Sequence, residues 1–260
     1  MRLPVAPNRE LGQHFLVDEN ILGVIGRLAE LDPNDAVLEV GPGLGVLTAY
    51  LADRVALVHA VELDRGLQPH LAERLHGREN IELVFGDALR LDLGALDPAP
   101  TKFVANLPYS VATPLIVESL DRLPSVVHWT VMVQREVADR LFARPGTKAY
   151  GAVSVLVQLA AERTGFHPVA RTVFRPPPNV DSALVAFRRV ALPESFGATK
   201  DVVQAAFAHR RKTLPNSLEL AGLASRRKAV EALAVIEREP NVRAEALEPA
   251  EFVALEQALR

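Results

Sequence analysis

The stretch Ala36-Val37-Leu38-Glu39-Val40-Gly41-Pro42-Gly43-Leu44-Gly45 decides how the rest of the chain is read. Its first five residues form a run too short for a helix and suited, with its valines and leucine, to a strand buried on both faces. The glycines that follow permit a tight turn and let the backbone approach a bound molecule where a Cβ would clash. In nucleotide enzymes such a loop usually receives a pyrophosphate at a helix N-terminus. A dinucleotide fingerprint would place its third small residue at Val46, whereas the third glycine here is Gly45. That departure lowers the nicotinamide or flavin reading.

Working outward, short apolar runs alternate with helical patterns over the first 190 residues or so. Ala36 to Val40, Leu57 to Leu63, Ile81 to Phe85, Phe103 to Ala105 and Val126 to Val133 read as buried strands, and Ala183 to Val190 as a later one. Helical candidates lie at Leu44 to Arg54, Arg65 to His76, Thr113 to Arg122 and Arg135 to Phe142, with an earlier helix from about Glu19 to Leu31 after Asp18 as N-cap. This rhythm predicts an α/β fold: a doubly wound, mostly parallel, Rossmann-like sheet with helices on both faces. From about Thr199 the pattern is helical without strands, and Pro193, Ser195 and Gly197 interrupt it just before. The expected organisation is a catalytic domain over residues 1–192 and a small helical domain over 193–260.

Composition sets outer bounds. The chain has 260 residues, 49% of them hydrophobic and 23% charged, which is the ordinary globular range. No apolar run reaches the roughly 18 to 20 residues of a membrane span, and Met1 to Asn8 lacks a hydrophobic signal core, so a cytoplasmic protein is expected. The absence of cysteine removes disulfides, thiolate nucleophiles and cysteine-based zinc sites. Formal net charge is -3, yet Arg188 to Lys228 carries nine Lys or Arg against three acids. A basic late region on an otherwise acidic chain is the footprint of an RNA-contacting surface, or else of a solvated helical face.

Two acids close strands in register with the glycine turn. Glu62 ends its strand about twenty residues past the glycines, where a carboxylate can accept hydrogen bonds from both ribose hydroxyls. Asp87, in Gly86-Asp87-Ala88, closes the next strand and could accept from an adenine amine. Either acid alone could equally cap a helix or face water; their order along the chain favours a bound cofactor. Asn106-Leu107-Pro108-Tyr109 then decides the chemistry. Adenine's exocyclic nitrogen is a poor nucleophile because its lone pair is delocalised into the ring, so it must be held in line with a methyl donor. The Asn106 side-chain oxygen and the Leu107 carbonyl can accept the amine's two hydrogens and stabilise the charge developing on nitrogen. Pro108 stiffens the turn, and Tyr109 offers a ring on which a flipped base can stack. In an anonymous loop the same residues would be a turn with a core tyrosine; their place at this strand end favours the site.

These residues resemble the ribosomal RNA adenine N6-dimethyltransferase family, most closely the KsgA (RsmA) type that modifies small-subunit (16S) ribosomal RNA. The resemblance covers nearly the whole chain, through Leu11-Gly12-Gln13-His14-Phe15-Leu16, Glu39 to Gly45, Glu62, Gly86-Asp87-Ala88, Asn106 to Tyr109, Val133-Gln134-Arg135-Glu136-Val137-Ala138 and Phe174-Arg175-Pro176-Pro177-Pro178-Asn179-Val180-Asp181-Ser182. It implies S-adenosylmethionine as cofactor, contacted by His14, Leu16, Gly41, Gly43, Glu62, Asp87, Ala88 and Asn106. It further implies that Asn106, Leu107, Pro108, Tyr109 and Phe174 form the catalytic pocket, with Phe174 stacking on the flipped adenine opposite Tyr109. Phe174 could also be ordinary core. The family more often has Asn where this chain has His14, which is either a ligand contact or a structural cap.

The late block Phe207-Ala208-His209-Arg210-Arg211-Lys212-Thr213-Leu214 also matches the family, and Arg210, Arg211 and Lys212 are expected to contact RNA phosphates. The expected partner is small-subunit ribosomal RNA, with no metal, no membrane and a monomeric state. The alternatives are a large-subunit (23S) adenine methyltransferase of the macrolide-resistance type, a mainly non-catalytic ribosome assembly factor and, least compatible with Val46 and the Asn-Leu-Pro-Tyr turn, a nicotinamide oxidoreductase.

Overall fold

The computed structural model describes residues 4–8 and 11–260. In chain order the elements are β1 (Phe15–Leu16), α1 (Asn20–Ala29), β2 (Ala36–Val40), α2 (Val46–Ala52), β3 (Leu57–Glu62), α3 (Gln68–Arg74), β4 (Ile81–Phe85), β5 (Lys102–Asn106) and α4 (Ala112–Arg122). They continue with β6 (His128–Gln134), α5 (Arg135–Leu141), α6 (Ala152–Ala160), β7 (Ala161–Val169), β8 (Phe174–Arg175) and β9 (Ser182–Arg189). The final helices are α7 (Phe196–Ala208), α8 (Leu214–Leu220), α9 (Arg226–Val235) and α10 (Pro249–Leu259).

The chain divides into two compact units, residues 1–138 with 163–189, and residues 139–162 with 190–260. A seven-stranded sheet has the order β4-β3-β2-β5-β6-β9-β7. β2, β3, β4, β5 and β6 pair in parallel and β9 runs antiparallel to β6, so the mostly parallel, doubly wound sheet is present. The chain moves outward from β2 to β4 and then returns to β5 on the other side of β2. This reversal of strand order opens a crevice at the carboxyl ends of β2 and β5, where open α/β sheets bind ligands.

All five residues of β2 are buried, as expected of a central parallel strand covered on both faces. Ile25 of α1 and Leu47 and Leu51 of α2 pack in one cluster with Val37, Val58 and Val104. Leu67, Leu71 and Leu75, in and beside α3, form a second cluster with Phe15 and Leu44. The stretch read as one helix over Arg65 to His76 is a 3₁₀ turn at Arg65–Leu67 followed by α3. Its start is set by Asp64, whose carboxylate accepts from the Gly66 N–H at 2.9 Å. At the opposite end of the strands, Lys102 and Asp35 form a buried ion pair at 2.8 Å, and the Thr101 hydroxyl donates to Asp35 at 3.0 Å. The added hydroxyl bond and the short separation offset part of the desolvation of both charges.

The second unit is helical apart from the first residues of β7. The rings of Tyr150, Phe207 and Phe252 lie in series, with centroids 6.0 and 5.9 Å apart, and the Tyr150 hydroxyl donates to the Leu247 carbonyl at 2.8 Å. This unit takes in α6, a helix within the span assigned on sequence to the first domain.

Arg189 shows how a single side chain closes an edge of the first unit. Its guanidinium donates to the carbonyls of Val126, Leu120 and Leu123 at 2.7, 2.9 and 2.8 Å, thereby satisfying carbonyls at the end of α4. It also lies 4.9 Å from the Trp129 ring, which stacks on Phe187 and donates through its indole N–H to Ser119. Arg189→Leu strips donors from several carbonyls at once and is expected to lower unfolding free energy by about 2 to 4 kcal/mol. Urea denaturation checks this, with the exposed Arg227→Leu expected to stay within about 0.5 kcal/mol of the parent.

Candidate active site

The crevice between β2 and β5 deepens into a cavity of about 340 Å³ within the first unit. Its floor is the glycine turn after β2. The Gly41 N–H donates to the Val61 carbonyl at 2.9 Å, which fixes the turn against β3. Gly41 and Gly43 have φ of 75° and 57°, a region that side chains rarely adopt. A Cβ on Gly41 would lie 3.2 Å from the Pro108 ring, and one on Gly43 would lie 3.1 Å from the Phe15 ring. The glycines therefore let the turn, the Asn-Leu-Pro-Tyr segment and the N-terminal block meet around one space.

Glu62, at the end of β3, is tied into this floor. One carboxylate oxygen accepts from the Gly43 N–H at 3.1 Å and the other from the Asp64 N–H at 2.9 Å. Burial raises its ionisation above the ordinary carboxylate range, against the lowering effect of those amides. Each oxygen keeps a lone pair, so the same carboxylate can accept further hydrogen bonds from a diol. Beyond β4, one oxygen of Asp87 accepts from the Leu89 N–H at 3.0 Å and the other faces Arg90 at 3.3 Å. Asp87 and Ala88 both line the cavity.

The opposite wall is the turn after β5. The Leu107 N–H donates to the Met132 carbonyl at 3.1 Å, pinning the turn to β6, and the Val111 N–H donates to Pro108 at the start of α4. Among the described residues nothing bonds to the Asn106 side-chain amide, which leaves both its oxygen and its nitrogen for a ligand. The Tyr109 hydroxyl lies 2.6 Å from that of Ser182, the first residue of β9, and burial raises the ionisation of the phenol. His14 stands beside it, with ring centroids 5.8 Å apart. Its Nδ1 lies 2.8 Å from the Pro176 carbonyl. A carbonyl only accepts, so Nδ1 carries the hydrogen and the tautomer is assigned.

Of the residues expected from sequence, His14, Leu16, Gly41, Gly43, Glu62, Asp87, Ala88, Asn106, Leu107, Pro108 and Tyr109 all line this one cavity. Phe174 does not. It pairs with Leu16 in the two-stranded β1–β8 sheet, is 2% exposed, and its side chain belongs to the core cluster of α1 and α2. The expectation that it stacks on a base is corrected here: its ring is packed among core side chains and is not part of the cavity lining.

In the second unit, Arg211 and Lys212 are exposed. Arg210 is exposed but engaged, donating to the Tyr150 carbonyl at 2.9 Å with Glu245 at 3.6 Å. Among the described residues no group of three His, Asp or Glu is placed to hold a metal ion, and no helix is long and apolar enough to cross a membrane.

Glu39 and Ser182 were not expected from sequence to act. Glu39 lines the cavity, is 1% exposed, and its Oε2 has no hydrogen-bond partner. Burial, with a contribution from the Glu62 carboxylate, pushes its ionisation up to about 8, although the neighbouring Thr48 hydroxyl pulls the other way. The signal was available: Glu39 is the one charged residue in an otherwise apolar strand. The Ser182 contact could not be foreseen, because it joins segments 73 residues apart.

Fold and cavity together define a Rossmann-like methyltransferase, with a glycine turn and two acids at successive strand ends and an Asn-Leu-Pro-Tyr turn opposite. The chain belongs to the ribosomal RNA adenine dimethylase family, whose pattern matches residues 6–259. It is 48% identical over 250 residues to the ribosomal RNA small subunit methyltransferase A of Rubrobacter xylanophilus, covering 96% of this chain and 94% of that one. Among solved structures it is similar to a dimethyladenosine transferase from Plasmodium falciparum, with a TM-score of 0.77, 25% identity and coverage of 93% and 96%. It is also similar to the 23S rRNA methyltransferase ErmE, with a TM-score of 0.66, 31% identity and coverage of 94% and 99%.

The raised Glu39 group sets a pH dependence. A carboxyl whose folded value lies above its unfolded value favours folding fully below about 4.5 and loses that contribution as pH rises through about 8. Glu39→Gln, which stays neutral, is therefore expected to gain stability over the parent across that window, by a few kcal/mol on order of magnitude, and to show no further gain above it. Chemical denaturation between pH 4 and 9 measures this.

Proposed function

We propose that this protein transfers methyl groups from S-adenosylmethionine to the exocyclic amines of two adjacent adenines in small-subunit (16S) ribosomal RNA. The observation that carries the reading is the unpartnered Asn106 amide at the strand-order reversal, in one cavity with Glu62, Asp87 and the glycine turn. The residues fit the cofactor: the unpartnered buried oxygen of Glu39 awaits a donor, and Gly41 and Gly43 keep clear a space that a Cβ would narrow. The similarity to a small subunit methyltransferase over nearly all of both chains favours the small-subunit substrate.

When bound, S-adenosylmethionine would supply an activated methyl on sulfur; the target nitrogen would take it as the carbon–sulfur bond breaks, and the proton lost from nitrogen would go to water. Glu62 would hold the ribose of the cofactor through both hydroxyls, while Asp87, beside Ala88, would accept from its adenine amine. Gly41, Gly43, His14 and Leu16 bound the amino-acid end. The Asn106 side-chain oxygen and the Leu107 carbonyl accept the two hydrogens of the target amine and hold its nitrogen in line, so most of the rate comes from orientation. Tyr109 stacks on the base once it has left the RNA stack, with its hydroxyl anchored on Ser182. No metal and no covalent enzyme intermediate are needed. The protein works in the cytoplasm as a monomer, and the helical region carries the RNA-phosphate contacts.

A likeness to a 23S rRNA methyltransferase keeps a large-subunit substrate as the second reading. Transfer of labelled methyl to small subunits lacking the modification, with large subunits and Asn106→Ala as controls, separates the two. Label on small-subunit adenine that vanishes in Asn106→Ala is expected. Label on large-subunit RNA alone would move the protein to the second reading, and no label on either would favour a scaffold role in ribosome assembly.

Arg211→Ala and Lys212→Ala are each expected to weaken RNA binding and to flatten its salt dependence by about 0.7 to 0.9 in the log–log slope for every phosphate no longer neutralised, with cofactor affinity unchanged. Arg210→Ala is expected to change the slope less, because its guanidinium is already held by Tyr150 and Glu245. Filter binding across a salt series measures all three.

A further inference from the structure

The base-accepting side of the cavity is tied together by the segment from Ala170 to Ser182. Asp181 turns one carboxylate oxygen to the Arg171 N–H at 3.3 Å, and Ser182, the next residue, lies 2.6 Å from the Tyr109 hydroxyl. The Pro176 carbonyl accepts from His14, whose ring stands beside Tyr109, and Arg175, one residue earlier, pairs with Phe15. The backbone of Arg171 and Arg175 is therefore built into the contacts that place Tyr109.

Their side chains are not. Both are exposed, and among the described residues neither guanidinium meets a carboxylate, a carbonyl or a ring. Alternation along β8 accounts for Arg175, since Phe174 turns into the core and its neighbour therefore turns out. Arginines elsewhere in this unit are engaged: Arg78, Arg90, Arg122 and Arg188 each pair with a carboxylate. Asp181, the only acid between residues 170 and 182, is turned to the Arg171 backbone. Two unneutralised guanidiniums four residues apart repel one another and gain from anions beside them.

We propose that Arg171 and Arg175 hold the phosphates flanking the target adenosine and act as positioning residues, fixing the RNA backbone so that the extruded base stays in line with the methyl donor. This rests on RNA adenine being the substrate. Asn106, Leu107 and Tyr109 grip only the base. A nucleotide turned out of its stack swings about its own backbone, so the base keeps its place only if the phosphates on either side are held as well. Planar guanidiniums suit that task, since each can give two parallel hydrogen bonds to one phosphate. Such contacts set register and carry no sequence information. They differ from those of Arg211 and Lys212, which belong to the helical unit and supply affinity.

Single-turnover methyl transfer to unmodified small subunits, with subunits and cofactor both saturating, reads positioning, and filter binding across a salt series reads affinity. Arg171→Ala and Arg175→Ala are each expected to slow the saturated step by up to about a hundredfold, the cost of misplacing a reacting group by roughly 1 Å. Each is also expected to lower the log–log salt slope by about 0.7 to 0.9. Arg175→Lys keeps the charge and loses the fork, so the slope is expected to return to the parent value while transfer stays slow. Arg27→Ala, which removes an exposed arginine from the last turn of α1, is expected to match the parent in both measurements.

Calorimetric titration with S-adenosylmethionine is expected to give the parent affinity in every variant, and thermal unfolding confirms that each is folded. Transfer at the parent rate by either alanine variant overturns the proposal. So does full recovery of the rate in Arg175→Lys, which would leave charge alone at work, or a fall in cofactor affinity alongside the rate, which would mean that the cavity itself was disturbed. Each of these outcomes leaves the functional reading intact. Absence of transfer by the parent to any ribosomal RNA overturns both.

Discussion

A parallel sheet whose strand order reverses beside its first strand must leave a gap there, because the segments following β2 and β5 depart in different directions. The gap is lined by chain that has just left a strand and has not yet entered a helix, so its backbone is not held in a regular ladder and can be shaped around a ligand. In this protein the glycine turn after β2 and the Asn-Leu-Pro-Tyr turn after β5 occupy its two sides, and the close approach of Gly41 to Pro108 sets their separation. β3 and β4 then deliver Glu62 and Asp87 to the same rim because parallel strands of similar length end at a similar height. The site follows from topology, with the particular residues written into the last position of each strand or the first few beyond it.

Much of this is readable in the amino-acid sequence. Ala36–Val40 begins and ends where its apolar run does, since a strand buried on both faces cannot extend into polar sequence; Ile81–Phe85 also keeps the bounds read from sequence, although at the edge of the sheet it is only partly buried and Glu82 is exposed. The region after α5 is not readable in the same way. Ala152–Ala160 is rich in valine and could be strand or helix by composition, while Ala161–Val169 carries Glu162, Arg163, Gly165 and Pro168 and lacks the signature of a core strand. Its place at the end of the sheet order explains this tolerance, because an edge strand has one side free of ladder bonds.

At the site, the strand-end acids and the Asn-Leu-Pro-Tyr turn are legible through their spacing. Phe174 is misplaced by the sequence because a two-residue strand has too few positions to show which face is buried, and only its pairing with Leu16 turns the ring into the core. Arg210, Arg211 and Lys212 are inseparable as a run of basic residues. Folding separates them by giving Arg210 a carbonyl to hold, a distinction that depends on a segment 60 residues earlier.

The second unit is assembled from two distant stretches of chain, and this orders its birth. During synthesis α6 emerges well before α7 and α10, the helices against which it packs. Until Leu247 has left the ribosome the Tyr150 hydroxyl lacks its acceptor, and until α10 follows, Phe207, the ring beside Tyr150, lacks its neighbour Phe252. A fragment cut at residue 193 would lose α6 and Tyr150 from this core, and a chain truncated before residue 249 would expose them. The protein therefore completes its helical half only once α10 has been made, whereas every strand of the sheet is made before α7.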